Sequence, residues 1–458
     1  MRGNLFLSTY KKLCITLALL MMFFAISGSM AVFAEPASSK GPEGAITAES
    51  VLLIDTKSGI VLFEKNPDKK MYPASTTKIM TSMVVLDAVE KGEVSLDDKF
   101  TMTQEIFDTL ALDGSSIYLE VGESMSVDNL LKGLLIASGN DAAAVLAVGV
   151  AGSIDAFVER MNKKAAELGL SKTHFVNPHG LHDAQHYTTA RELSIMAREA
   201  MKIQAFRDIV EIAHIKLEPT NMKEERYFIN TNNLVSRMRY PHYFYEYATG
   251  IKTGSTSEAG SCLVSSAEKD GISVICVLLN SEDNSTSHNE SKAILKHGLE
   301  DFAPRKVAKR DDIFGEVTVD QAAGDSDYII LSAENNIEVL FPKDGNAEEI
   351  EQVVEIPDSV RAPIASGQAI GKVSFVYKGQ TLGSVNLIST MEVERSFFGP
   401  VESFFEWLWS FTVIKVIIWL ILAVAGGFVA LLAIGFARAL KKSKRKQRRS
   451  SSYRPPRY

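Results

Sequence analysis

Tyr72-Pro73-Ala74-Ser75-Thr76-Thr77-Lys78-Ile79-Met80-Thr81 is the stretch on which the reading of this chain turns. A proline just ahead of a periodic apolar run marks a helix start. Ser75 and Lys78 lie three positions apart, and residues i and i+3 of a helix share a face. A serine hydroxyl hardly ionises near neutral pH, so as a nucleophile it needs a base within hydrogen-bond reach. A helix opening at Ser75 brings hydroxyl and amine together at its N-terminus. The positive end of the helix dipole and neighbouring cations favour a neutral lysine, which accepts a proton. The same end leaves backbone N–H groups free for an oxyanion. Taken alone, the pattern is equally that of an ordinary helix cap beside an exposed lysine.

Two further motifs fall into complementary contexts. Ser138-Gly139-Asn140 interrupts a helical region running from about 127 to 150. A hydroxyl there can pass a proton to a leaving amine, and the Asn140 amide can hold a substrate carbonyl and orient Lys78. Lys252-Thr253-Gly254 falls in a period-two segment from Thr249 to Gly254, read as a strand. A lysine and a hydroxyl on a strand suit a carboxylate, and a glycine lets substrate lie against the backbone. Singly, these are a turn between helices and a strand lysine with a glycine bulge.

Outward from these motifs the chain reads as α+β. Ser50 to Asp55 and Ile60 to Glu64 flank Lys57-Ser58-Gly59, a hairpin signal. Amphipathic helices follow at 153–169 and 188–203, opening near Ser153 and Thr189 as caps. Ser261 to Ala267 and Ile272 to Asn280 flank Lys269-Asp270-Gly271, a second hairpin, and a helix near 285–302 follows. Helices packed on an antiparallel sheet are the expectation. After Pro304, five short β-like runs separated by Gly, Pro, Asn and Asp predict a small all-β, sandwich-like domain over 304–395.

The trio Ser-x-x-Lys, Ser-Asp-Asn-like and Lys-Thr-Gly is the signature of penicillin-binding proteins and class A β-lactamases. With Asn177-Pro178-His179-Gly180-Leu181 and Ser138-Gly139-Asn140-Asp141-Ala142 added, the chain resembles the low-molecular-mass penicillin-binding proteins, the D-alanyl-D-alanine carboxypeptidases, over about residues 45–395. The resemblance implies a β-lactamase/transpeptidase-like catalytic domain over 46–303. It implies that Ser75 is the acylated nucleophile, Lys78 the general base, and Ser138 with Lys252 the proton shuttle. It further implies that Asn140 binds the peptide, that Lys252 and Thr253 hold the terminal carboxylate beside Gly254, and that the N–H groups of Ser75 and Ser255 form the oxyanion hole. The expected substrates are peptidoglycan stem peptides, with β-lactams as covalent inhibitors and no cofactor or metal. A D,D-endopeptidase is a variant on the same site. A β-lactamase requires fast deacylation, obtained in class A enzymes from a glutamate loop not recognised here. A catalytically dead wall-binding protein is opposed by the intact motifs.

The two ends predict where such a site sits. Residues 1–34 read as a signal peptide: Arg2, Lys11 and Lys12, an apolar run from Leu13 to Ile26, then Val32-Phe33-Ala34. Residues 35–45 read as a linker, and 396–412 as a juxtamembrane segment. Val416 to Ala437 carries no charge and no proline, and the expected transmembrane helix is 413–437. Trp407, Trp409 and Trp419 gather near its start. The tail 438–458 holds ten basic residues and no acid, the pattern of a cytoplasmic flank in contact with lipid headgroups. Subtracting those ten positive charges and the three of the signal from the total of −7 leaves −20 for residues 35–437. A body so acidic argues against a nucleic-acid partner.

Of three cysteines, Cys14 leaves with the signal. Cys262 and Cys276 lie in apolar β-like runs and read as buried hydrophobes, with a disulfide as the alternative. His179, His182 and His186 fall within eight residues. A metallopeptidase can use such a cluster, but no His-Glu-x-x-His accompanies it, and a structural loop is the favoured reading.

Overall fold

The computed structural model describes residues 41–42, 44–111, 114–323, 327–396, 407 and 412–450. The signal peptide, most of the linker and nearly all of the juxtamembrane segment fall outside these residues. The chain divides into two compact units: residues up to Lys309 with Asn336–Val353 and Ser374–Val385, and the remainder.

The first unit is built on a five-stranded antiparallel sheet of β1 (Ser50–Asp55), β2 (Val61–Lys65), β7 (Ala248–Thr256), β8 (Gly260–Lys269) and β9 (Ile272–Ser281), in the order β2-β1-β9-β8-β7. Smaller strands pair as β3 (Lys99–Thr101) with β4 (Ser124–Ser126), and β5 (His214–Leu217) with β6 (Arg226–Ile229). The sequence Ser-Val-Leu-Leu-Ile-Asp of β1 is buried along its whole length, as expected of a strand covered on both faces. Because side chains alternate, Val51 and Leu53 enter one core while Leu52 and Ile54 enter the other. Each buried Leu, Ile or Val side chain contributes roughly 1.5–3 kcal/mol. The β8–β9 connection turns at Asp270 and Gly271, both at positive φ, which is the expected short hairpin.

One face of the sheet carries most of the helices. They are α1 (Lys78–Glu90), α2 (Gln104–Asp108), α3 (Val127–Leu135), α4 (Asn140–Ala151), α5 (Ile154–Glu167), α6 (Ala190–Ala200) and α7 (Gln204–Val210). The other face carries α8 (Asn284–Glu300), whose Ile294, Leu295 and Leu299 complete the second core. Ser126, Ser153, Thr189 and Asp283 each accept a bond from a first-turn N–H and start α3, α5, α6 and α8. Residues 78–86 of α1 are all buried, so this helix runs through the core and not along its surface. Cys262 and Cys276 are free and buried, on opposite faces of the sheet, so the two thiols cannot meet.

Two details at the motifs differ from expectation. The segment carrying Ser75 opens as a 3-10 turn, Ala74–Thr77, and the α-helix proper starts at Lys78. In a 3-10 turn residues i and i+3 eclipse, so the tighter winding brings Ser75 and Lys78 together at least as well. Strand β7 also runs to Thr256, so Ser255 lies within it.

The C-terminal strands are β10 (Phe302–Ala308), β11 (Ile313–Asp320), β12 (Tyr328–Ala333), β13 (Ile337–Pro342), β14 (Glu351–Glu355), β15 (Ser359–Arg361), β16 (Ala369–Tyr377) and β17 (Gln380–Ser389). β10 pairs with β13, both within the first unit. In the second unit β11 pairs antiparallel with β12 and parallel with β15, and Leu331 of β12 sits opposite Ser389 of β17. Among the described residues this region is all-β apart from a short turn at Ala347–Glu349. α9 spans Thr412–Ser450, and Lys415–Arg438 within it is long and apolar enough to cross a bilayer. Its 24 residues reach about 36 Å at 1.5 Å per residue.

Candidate active site

Ser75 sits in the 3-10 turn between Ala74, whose φ is +48°, and the first turn of α1. A left-handed alanine persists only where its surroundings hold it. From one side the Asn177–Leu181 loop does so. Gly180, at φ +88°, lies so close that a Cβ there would stand 1.9 Å from the Ala74 carbonyl oxygen. From the other side comes β7. A Cβ at Gly254 would stand 2.8 Å from the Ser75 amide nitrogen. Only glycine lets the strand pass Ser75 at this distance.

Lys78 is fully buried. Its Nζ lies 2.9 Å from Ser75 Oγ, 2.7 Å from Asn140 Oδ1 and 2.9 Å from the His179 carbonyl. A neutral amine has two N–H groups and one lone pair. Two of these contacts end on obligate acceptors, so the lone pair is left for the Ser75 hydroxyl proton. Burial pushes the Lys78 pKa well below the ordinary lysine range, and the nearby charge of Lys252 pushes the same way against Asp141. Lys252 is buried too, and desolvation lowers its pKa to about 7. Its Nζ donates to the Thr253 carbonyl at 3.0 Å.

Asn140 begins α4, and its backbone N–H donates to Ser115 O at 2.7 Å. With Oδ1 occupied by Lys78, the Asn140 side-chain NH2 remains for a ligand carbonyl. Ser138, at φ +65° and buried, turns the chain between α3 and α4. Thr253 Oγ1 donates to Thr231 Oγ1 at 2.7 Å, and Ser255 is exposed. The structure therefore joins Ser75, Lys78 and Asn140 by direct hydrogen bonds and sets Gly254 against Ser75. Lys252 reaches Lys78 through charge. Ser138 is placed by its position beside Gly139 and Asn140, with no hydrogen-bond partner for its hydroxyl among the described residues.

Other residues complete the surroundings without a sequence signal of their own. The buried Asp141 carboxylate accepts from Ser116 Oγ at 2.6 Å and from the amides of Ile117 and Leu119 at 3.0 Å, which fastens the 114–119 loop beside Asn140. Arg226 holds the same loop through the carbonyls of Ile117 and Tyr118 while paired with buried Glu123. Thr231 comes from an unremarkable Thr-Asn-Asn stretch.

A buried lysine bonded to a serine at the start of a core helix, beside an edge strand able to take an extended peptide, defines a serine acyl-transfer enzyme that uses lysine in place of histidine. The sequence matches the D-alanyl-D-alanine carboxypeptidase family over residues 35–283 and the penicillin-binding protein 5 C-terminal domain over 302–395. The chain belongs to that carboxypeptidase family and is a serine-type D-Ala-D-Ala carboxypeptidase of the low-molecular-mass penicillin-binding class. It is 31% identical to D-alanyl-D-alanine carboxypeptidase DacF of Bacillus subtilis, over 85% of this chain and 96% of that one. It is 34% identical to DacC of Escherichia coli, over 78% and 88%. Among solved structures, penicillin-binding protein 5 from Haemophilus influenzae superposes with a TM-score of 0.65 at 31% identity. That match covers 78% of this chain and 100% of the other.

Proposed function

We propose that Ser75 attacks the carbonyl between the two terminal D-alanines of a peptidoglycan stem pentapeptide. Lys78 takes the serine proton as general base. Ser138 relays a proton to the departing D-alanine amine, with Lys252 completing the shuttle. The peptide lies along the open edge of β7, with a carbonyl on the Asn140 amide. Its terminal carboxylate rests on Lys252 and the Thr253 hydroxyl. The N–H groups of Ser75 and Ser255 take the oxyanion, and Gly254 leaves them unobstructed. Water then hydrolyses the Ser75 ester and releases a tetrapeptide.

The observation that carries this reading is the contact set of Lys78: a buried amine with two obligate acceptors and the nucleophile as its third neighbour. β-Lactams present the same carbonyl and carboxylate and acylate Ser75. The signal-like N-terminus and α9 support a body held outside the bacterial cell membrane, where the wall lies, with the basic tail in the cytoplasm. The β strands after residue 304 suit a spacer between anchor and site.

The test is incubation of the full chain, in detergent, with labelled penicillin and with a peptide ending in Lys-D-Ala-D-Ala. Stable labelling and D-alanine release, both abolished by Ser75→Ala, are expected. Rapid penicillin turnover without D-alanine release would replace this reading with a β-lactamase.

A further inference from the structure

The acyl-transfer chemistry uses the His179 backbone carbonyl but none of the three histidine rings noted in the sequence. Each faces a different partner on the nucleophile segment. His182 sets its ring edge-on against Tyr72, with centroids 4.6 Å apart. His179 gives its carbonyl to Lys78. His186, buried and packed edge-on against Phe175 at 5.4 Å, reaches Thr77 with Nε2 at 2.8 Å from Oγ1.

The tautomer of His186 follows from its neighbours. The Val176 amide donates to Nδ1 at 3.2 Å, so Nδ1 carries the lone pair and Nε2 carries the proton. Burial lowers the His186 pKa to about 4, so the ring is neutral in working conditions. Nε2–H therefore donates to Thr77 Oγ1. Thr77 in turn donates to the Ala74 carbonyl at 2.8 Å. A directed chain results: Val176 N–H to His186, His186 to Thr77, Thr77 to Ala74 O. It ends on the residue whose left-handed backbone sets up Ser75. The same Ala74 carbonyl faces Gly180 of the loop that carries His186.

We propose that His186 is a positioning residue for acylation: it orients the Thr77 hydroxyl, which fixes the Ala74 peptide and hence the aim of Ser75 Oγ at Lys78 and at the substrate carbonyl. It touches no substrate and takes no proton in the reaction. Two features make this more than packing. The His186–Thr77 bond runs across 109 residues, and the Thr77–Ala74 bond carries it to the residue just before Ser75, where an error in angle becomes an error in attack geometry. A displacement of about 1 Å at such a place costs up to roughly 100-fold in rate. The inference rests on the acyl-transfer reading of Ser75.

The test compares full-length wild type, His186→Phe, His186→Gln and Thr77→Val in detergent. Acylation by labelled penicillin is read as rate constant and saturation separately, beside the thermal midpoint. Phenylalanine keeps the volume and loses both hydrogen bonds; glutamine offers a donor and an acceptor in their place. His186→Phe is expected to lower the limiting acylation rate roughly 10- to 100-fold with the half-saturating concentration little changed. His186→Gln is expected to recover most of that loss. Thr77→Val, which removes the hydroxyl that accepts from His186 and donates to Ala74, is expected to act like His186→Phe and stands in for it if that variant does not fold. Wild-type rates in His186→Phe or Thr77→Val overturn the proposal, as do equal losses in the Phe and Gln variants. If wild type itself is not labelled, the acyl-transfer reading falls first and this inference with it.

Discussion

Lys78 Nζ and Asn140 Oδ1 lie 2.7 Å apart across 62 residues of sequence, and this bond ties the proposed base on α1 to the side-chain amide at the head of α4. It is neutral by design of the side chain: an amide oxygen accepts from the amine without attracting a positive charge to it. Asn140→Asp puts a carboxylate in the same place. An adjacent opposite charge favours the protonated lysine, so the Lys78 pKa rises. The acid limb of the acylation rate against pH is expected to move upward by roughly 1–3 units, read by penicillin labelling from pH 4 to 10. An unmoved limb would assign the base to another group.

Lys252 titrates at about 7 in the free site because burial disfavours its charge. Folded-state depression means the unfolded chain binds the extra proton more readily. The destabilisation is thus fully present below about 7 and disappears as pH rises toward the unfolded value near 10.5. Two outcomes follow. Lys252→Met is expected to raise the thermal midpoint at pH 6, by the equivalent of roughly 1–4 kcal/mol, while removing carboxypeptidase activity. With wild type, kcat/KM for a peptide ending in a free carboxylate is expected to fall above pH 7. The C-terminal amide of the same peptide should show no such fall, since a neutral end gains nothing from the charge.

Gly254→Ala places a methyl 2.8 Å from the Ser75 amide nitrogen. It intrudes on the proposed oxyanion position, and loss of one donor there typically costs about 100- to 1,000-fold in kcat. The strand register is held by the Gly254↔Cys262 pairing with β8 and its flanking pairs, so the fold is expected to persist. Steady-state kinetics beside circular dichroism separates the two effects; retained kcat would place the oxyanion elsewhere.

Much of this was legible from the chain because it was periodic or punctuated. The buried run of β1, the Asp270-Gly271 turn and the Ser153 and Thr189 caps each announce an element. The break at Ser138-Gly139-Asn140 was visible as polar residues inside an apolar helical pattern. The remaining elements carry no local signal. β3, β4, β5 and β6 have three or four residues each, too few to show a period. β10 passes through Pro304, which reads as a boundary, because Pro304 sits in a two-stranded pair with an open edge. In the site, the third neighbour of Lys78 is a backbone carbonyl, which no side-chain pattern reveals. Asp141 was seen only as the residue after Asn140, since its partners are the amides of a loop more than twenty positions away. The 3-10 opening at Ala74–Thr77 is set by packing from Gly180 and Gly254, not by the propensity of Ala-Ser-Thr-Thr.

The pair Arg226–Glu123 is the other long-range tie to the substrate side. Both side chains are buried, and Arg226 reaches Glu123 at 2.5 and 2.7 Å while holding the Ile117 and Tyr118 carbonyls. Arg226→Met leaves a carboxylate uncompensated and two carbonyls without their donor. A loss of about 3–5 kcal/mol is expected in chemical denaturation. Adding Glu123→Gln removes the stranded charge and is expected to restore part of the stability. It leaves the 114–119 loop without its clamp, so KM for peptide stays raised. A double variant as unstable as the single one would show that the charge was not the cost.

α9 gives the last prediction. Its segment Lys415–Arg438 presents Val416, Trp419, Leu420, Val424, Phe428 and Leu432 to the surroundings, all exposed. A monomeric soluble protein does not leave so long an apolar surface uncovered. A helix of about 36 Å with charge only at its ends matches a bilayer core of about 30 Å with slight tilt. Stopping the chain after residue 405 is expected to move the protein from the membrane pellet to the soluble fraction. Penicillin acylation should persist, since the site residues all lie in the first unit. Replacing Leu420, Val424 and Phe428 with arginine in the full chain tests the span itself. Each charge near the centre costs roughly 2.5–3.5 kcal/mol on insertion scales, so three should defeat insertion. Continued alkali-resistant membrane retention of that variant would show that the chain is held by some other part.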